Sequence, residues 1–272
     1  MVQTVIGQTK LKKLLMKLDP LPQFIIVAGP KGSGKSLFIS ETCKYKLSCE
    51  PIEVDSMNAI RDICENAVDV QKPTAYVISN FDNVNFRTKE AILKLCEETP
   101  KFIYIFIETQ SVANLKQTLL SRAFIFNLET YSKEDLNKYC LTLENVTEAE
   151  SDSLISTFKT PGNIKRAHAL GTQNFISFCD KVVSFIYEVP FGNALKISNS
   201  LKLKADSPGF DLDLFFEAVA SRALLAKDNL GIDAVYSIIK ACSTVSIVLS
   251  QTPTVNKQML FDSWLMKVRG IN

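Results

Sequence analysis

The chain has 272 residues, 46% hydrophobic and 22% charged, and its 31 Lys and Arg nearly balance 29 Asp and Glu for a net charge of +2. These are ordinary globular values, which exclude a disordered or low-complexity chain and allow two domains with a small third. So small a charge does not by itself imply nucleic acid; any such contact is local, and the lysines of residues 10–17 are its candidate patch beside the commoner reading as a solvated helix face.

The first predicted strand, FIIVAG at 24–29, leads through GPKGSGKS at 29–36 into a helical pattern over 35–47. PIEV (51–54), TAYVIS (74–79), FIYIFIE (102–108) and AFIFNL (123–128) read as further buried strands, rich in β-branched and aromatic residues. Helical segments at 57–68 and 87–98 fall between them. Strands separated by helices of that length predict βαβ units and a parallel sheet covered on both faces.

After Leu128 the texture turns helical. SKEDLNKYC, EAESDSLISTF and GNIKRAHAL are amphipathic with cap-like Ser or Thr ahead of them. From about residue 174 the helices lengthen, as FISFCDKVVSFIYEV, DLFFEAVASRALLAK, DAVYSIIKACSTVSIVLSQ and NKQMLFDSWLMKVR, with EVPFGN and KADSPGF as turns. No apolar run approaches the roughly 18 to 20 residues of a membrane span, and MVQTVIGQTK lacks a signal-peptide pattern. The expectation is a soluble, cytoplasmic protein with no membrane partner. The seven cysteines include no C-x-x-C pair, which predicts reduced, mostly buried thiols and no zinc.

The motif that carries chemistry is G-x-x-x-x-G-K-[ST], met by Gly29, Gly34, Lys35 and Ser36 between an apolar strand and a helix. The backbone around Gly29, Gly32, Ser33 and Gly34 turns its N–H groups inward on a phosphate, at a helix N-terminus whose dipole favours an anion. Lys35 adds a cation for the β and γ oxygens, and Ser36 a hydroxyl ligand for Mg²⁺. ATP or ADP with Mg²⁺ is the expected cofactor.

Several stretches, in order, resemble the AAA+ clamp-loader subunits, most of all those of the delta-prime type from the bacterial DNA polymerase III clamp loader or a phage counterpart. VIGQTKLKKLL at 5–15 is similar to the family's opening helix, and IEVDSMNAIRDI to its second strand and following helix. TKEAILKLCEETPKFIYIFIETQ resembles the helix ending Glu-Glu-x-Pro and the strand carrying sensor 1, which implies Thr109 for that role. LKQTLLSRAFIF resembles the Ser-Arg-Cys region, with Ala123 in place of Cys, and implies that Arg122 is a finger reaching a neighbour's nucleotide. TPGNIKRAHAL is similar to the sensor 2 helix, implying Arg166 as its arginine with Lys165 as runner-up; His168 is assigned no function. The closing NKQMLFDSWLMKV resembles the last helix of the collar.

The resemblance implies an α/β fold in three parts: an AAA+ P-loop parallel-sheet domain over 1–130, a small helical lid over 131–172 and an all-helical collar-like domain over 173–272. It also locates a defect. Counted back from the Glu97-Glu98 pair by the family's spacing, the two Walker B acids fall on Ser79 and Asn80, neither of them anionic. In a working site the first acid orients the Mg²⁺ shell and the second polarises the attacking water. Asp82, two residues on, reads as a cap or turn residue, and only a register slip brings it to the metal. The implied protein binds nucleotide weakly, has little or no ATPase of its own and contributes Arg122 in trans. Its implied partners are other AAA+ clamp-loader subunits, the sliding clamp and, through the complex, primer-template DNA in a bacterial or phage-infected cell. The alternatives are a self-sufficient homo-oligomeric AAA+ ATPase and a helicase-loader-like P-loop switch.

Overall fold

The computed structural model describes residues 5–54, 56–66, 70–97, 99–252 and 254–270. The chain divides into two compact units, Met1–Asp135 and Leu136–Asn272.

The first unit opens with helix α1 (Thr9–Lys17) and strand β1 (Phe24–Ala28), all of whose residues are buried. It continues as α2 (Lys35–Thr42), prolonged by a π-helical turn at Cys43–Leu47, then β2 (Ile52–Glu53), α3 (Met57–Asn66), β3 (Thr74–Ile78), α4 (Phe86–Glu97), β4 (Ile103–Thr109), α5 (Gln117–Leu120) and β5 (Phe124–Asn127). All five predicted strands form. The predicted ends of two helices, residues 67 and 68 and Glu98, lie outside the described residues.

The strands make one parallel sheet in the order β2-β3-β4-β1-β5. Alternation of side chains along each strand splits the core between its two faces. One face gathers Ile25, Val27, Ala75, Val77, Phe106 and Phe126 with Phe38 and Ile39 of α2. The other gathers Ile26, Ile78, Ile105 and Ile107 with Ile60 and Ile63 of α3 and Ile92 and Leu95 of α4. Each such side chain contributes about 1.5–3 kcal/mol when fully buried, which is why the strands read as continuous apolar runs.

Helix α6 (Lys133–Cys140) runs across the division. The second unit then comprises α7 (Glu148–Thr157), α8 (Pro161–Ala169), α9 (Thr172–Glu188), α10 (Phe191–Ala205), α11 (Leu212–Leu225), α12 (Lys227–Leu230), α13 (Ile232–Gln251) and α14 (Lys257–Val268). Its core is aromatic: Phe215, Phe216, Phe261 and Trp264 are fully buried, with ring centroids 5.1 Å apart for Phe215 and Phe216 and 5.6 Å for Phe216 and Trp264. A capping box at Thr147 and Glu150 starts α7, and Asp211 caps α11.

Two sequence expectations are corrected here. The pattern names no helix between EVPFGN and KADSPGF, yet α10 forms there, with Pro190 as its N-cap residue and Phe-Gly-Asn as its first turn. Proline costs little at a helix start, where its missing N–H has no intrahelical acceptor. Ala194, Ser198, Leu201 and Ala205 then form its buried stripe.

The second correction concerns apolar length. Ile232–Ser250 is long and apolar enough to cross a membrane, with a mean hydropathy of 1.6 over 19 residues. Asp233, Lys240 and several Ser and Thr interrupt it, so no unbroken apolar run shows in the sequence. Within its unit α13 packs on α11 and α14, and Val235, Ile238, Ala241, Cys242 and Val245 make a buried stripe at helical spacing. A bundle helix buries one face in this way.

Candidate functional site

β1 ends at Ala28, and the chain turns through Gly29–Gly34 into α2 at the carboxyl end of the sheet, where open α/β sheets bind ligands. Two glycines hold backbone that other residues avoid: Gly32 at φ 78° and Gly34, the residue before α2, at φ 87°. Gly29 is needed for space. A Cβ there would lie 2.8 Å from Ser33 Oγ and 3.1 Å from Leu128 Cβ.

The loop is fastened from several sides. Gly29 N–H donates to Thr109 O at 3.1 Å, and Tyr131 Oη donates to Ser33 O at 2.7 Å. Lys35 Nζ folds over the loop and donates to Gly29 O at 2.9 Å and Pro30 O at 3.0 Å. Burial lowers the Lys35 pKa, while the Glu108 and Asp82 carboxylates oppose that shift. Ser33 is fully buried, yet its Oγ has no hydrogen-bond partner. A cradle with its walls in place, an orphaned hydroxyl and a cation above it fits a phosphate group; Ser36 at the head of α2 fits the metal that accompanies one.

Gly29, Gly32, Ser33, Gly34, Lys35 and Ser36 lie together in this loop and the first turn of α2, and Thr109 reaches the loop through its backbone carbonyl. Its side chain is engaged elsewhere. Thr109 Oγ1 contacts Asp82 Oδ1 at 2.9 Å and Ser111 O at 3.1 Å, while Gln110 N–H donates to Asp82 Oδ2 at 2.8 Å. Asp82 is therefore neither a helix cap nor slipped toward the metal. It sits in the 3-10 turn Phe81–Asn83 and clamps the end of β4, while Asn85 caps α4 by accepting from Thr88 N–H at 2.9 Å. β3 keeps the unslipped register, with Val77 opposite Phe106 and Ile78 opposite Ile107. Ser79 and Asn80 follow it directly, Asn80 exposed and left-handed at φ 48°.

Sequence reasoning missed Glu108. It is 6% exposed, and its Oε1 has no hydrogen-bond partner. Burial raises its pKa, opposed by the Ser36 hydrogen bond and by Lys35. The available signal was an acid closing the apolar run FIYIFIE. Also missed was the reciprocal amide clamp in which Gln8 Nε2 donates to Glu129 O at 2.8 Å and Glu129 N–H donates to Gln8 Oε1 at 2.9 Å.

Arg122 lies apart from the phosphate cradle. It follows α5 and precedes β5, so it stands at the amino end of the sheet, roughly 15 Å from its own P-loop at the rise of about 3.3 Å per strand residue. Its guanidinium pairs with Glu97 at 3.1 Å and donates to Thr118 O at 2.9 Å, beside a cleft lined by Pro22, Gln23, Phe24, Cys96 and Thr99. Arg166, in the second unit, forms an ion pair with Asp211 and donates to Asn163 Oδ1 at 2.7 Å, and Asn163 in turn donates to Glu217 at 2.6 Å. Lys165 is exposed, and His168 approaches Thr172 Oγ1 at 3.5 Å. Of the basic stretch in α1, Lys10 pairs with Glu129 at 3.1 Å and Lys12 donates to Val5 O.

Residues 45–132 match a protein-family model described as the DNA polymerase III delta subunit. No curated protein sequence matches the chain. Among solved structures, the crystal structure of a DNA polymerase III gamma subunit-related protein from Thermotoga maritima superposes with a TM-score of 0.56 at 13% identity, covering 96% of this chain and 98% of that one. The structure of a single-residue variant of Thermotoga maritima RuvB gives 0.52 at 20% identity, covering 81% and 88%. A second structure of that protein, described as a Holliday junction branch migration motor, gives the same values. With the parallel sheet, the P-loop between β1 and α2 and the helical second unit, the chain has the AAA+ fold, and residues 45–132 within it are similar to the DNA polymerase III delta subunit family.

Proposed function

We propose that this chain is a clamp-loader subunit of DNA replication, of the delta-prime type. It binds ATP or ADP with Mg²⁺ at Gly29–Ser36, hydrolyses it poorly, and presents Arg122 to the nucleotide of a neighbouring AAA+ subunit while the assembly places a sliding clamp on primer-template DNA. One observation carries the reading: a complete phosphate cradle stands in the same sheet as a β3 followed directly by the neutral pair Ser79 and Asn80. A site so built keeps nucleotide without an acid at β3 to polarise the attacking water.

Other features support the reading. Arg122 stands at the far end of the sheet from its own cradle, so any nucleotide it touches belongs to another subunit. In the second unit, α8 carries Arg166 as the sensor 2 candidate of a lid over 131–172, and the helices over 173–272 serve as the collar that binds partner subunits. Thr109 remains the sensor 1 candidate. The cell compartment is the cytoplasm of a bacterial or phage-infected cell.

The test is assembly and turnover, with the chain purified alone and with candidate AAA+ partners. Alone it should bind ADP, lose that binding in Lys35→Ala, and turn over little ATP; losing one transition-state stabiliser commonly costs about 10²–10³ in rate, and two acids are replaced here. Robust turnover by the isolated chain that vanishes in Lys35→Ala would instead identify the self-sufficient homo-oligomeric ATPase.

A further inference from the structure

Glu108 is the only charged residue of β4, and a carboxylate 6% exposed is costly unless something compensates it. Its compensation is partial: the Ser36 side chain and the Lys35 charge favour its ionised form, while Oε1 has no partner. Parallel pairing fixes where it stands. Val77 is opposite Phe106 and Ile78 opposite Ile107, the last pair of the ladder, so the same register carried one residue into the turn would set Ser79 at the level of Glu108. On the other side, Val27 of β1 is opposite Glu108. By that register Glu108 stands at the level of Ser79, one strand nearer the P-loop, a step of about 4.8 Å. Its sheet face is the one covered by α2, whose first turn carries Lys35 and Ser36.

We propose that Glu108 supplies the metal-shell acid that Ser79 lacks, holding with Ser36 the Mg²⁺ of a nucleotide bound at Gly29–Ser36. The assignment rests on the nucleotide reading above. Mg²⁺ is commonly held by one or two carboxylates together with phosphate oxygens and water, and a cation at Glu108 Oε1 gives that buried oxygen its partner. A rival acid is Asp82, which also acts on Lys35, but both of its carboxylate oxygens are engaged by Thr109 and Gln110. Relocating one acid restores half of the site. Asn80 stays neutral, so the chain keeps metal and nucleotide together without an acid there to polarise water.

The experiment uses the full chain, mant-ADP fluorescence in EDTA, and Mn²⁺ binding to the ADP complex followed by electron paramagnetic resonance. Wild type should bind mant-ADP in EDTA and take up Mn²⁺ once ADP is present. Glu108→Gln should lower the Mn²⁺ affinity of the ADP complex by about 10–100-fold, and Asp82→Asn should leave it unchanged. Unchanged Mn²⁺ affinity in folded Glu108→Gln, or a loss in Asp82→Asn instead, overturns the assignment and leaves the nucleotide reading standing. Wild type that binds no mant-ADP with or without Mn²⁺ overturns both. If Glu108→Gln fails to fold, Glu108→Asp withdraws the carboxylate by one methylene and should weaken Mn²⁺ binding without abolishing it; an unchanged affinity there also counts against the proposal.

Discussion

At the scale of single residues, the phosphate cradle depends on contacts that a motif does not spell out. Gly29 is required because Ser33 Oγ and Leu128 Cβ occupy the space of a side chain, so Gly29→Ala forces either the loop or the end of β5 to move. Overpacking of that kind costs about 1–3 kcal/mol, and urea denaturation should read it together with loss of mant-ADP binding. Asp82 acts differently. It ties the turn after β3 to the end of β4 through two hydrogen bonds to its carboxylate, so Asp82→Ala should cost about 1.5–3 kcal/mol of stability in the same measurement. A fall in stability with nucleotide affinity retained would mark Asp82 as structural; an unaltered denaturation curve would show that the clamp contributes nothing.

At the scale of elements, legibility followed how local each feature is. The central strands β1 and β4 were plain because strands buried on both faces are written as unbroken apolar runs, and the P-loop was plain because all its parts lie within eight residues. α10 was hidden by Pro-Phe-Gly-Asn, which reads as a turn although its proline begins a helix. Glu108 was hidden because strand reading treats an acid at the end of an apolar run as the strand's limit; only the pairing register puts it beside Val27, at the mouth of the P-loop. The Arg166, Asp211, Asn163 and Glu217 network joins α8 to α11 across more than 40 residues, beyond any periodicity. The aromatic core of the second unit offers a direct check. Phe216 is fully buried against Phe215, Phe261 and Trp264, so Phe216→Ala should cost about 3–5 kcal/mol. Emission from Trp264, the one tryptophan, reports that unfolding, and a midpoint equal to wild type would contradict the packing.

At the scale of the whole molecule, what matters is that the nucleotide cradle and Arg122 occupy opposite ends of one parallel sheet. Arg122 cannot serve its own cradle across about 15 Å of strand, but it is not locked in place either. Its ion pair with Glu97 joins side chains 39% and 48% exposed, and such pairs are worth about 0–1 kcal/mol after solvent screening. On the proposed reading, leaving Glu97 for a neighbour's phosphates therefore costs the guanidinium little beyond its bond to Thr118 O. In the isolated chain, Arg122→Ala should leave mant-ADP affinity where it was. In a complex with a partner ATPase it should lower the partner's turnover by about 10²–10³ without preventing assembly, since it removes a charge aimed at the transition state. Arg122→Lys should recover only part of that rate, because an ammonium keeps the charge and loses the planar fork that meets two oxygens at once. Turnover at the wild-type level in an Arg122→Ala complex would remove the arginine from the mechanism and leave the chain a purely structural member of the ring.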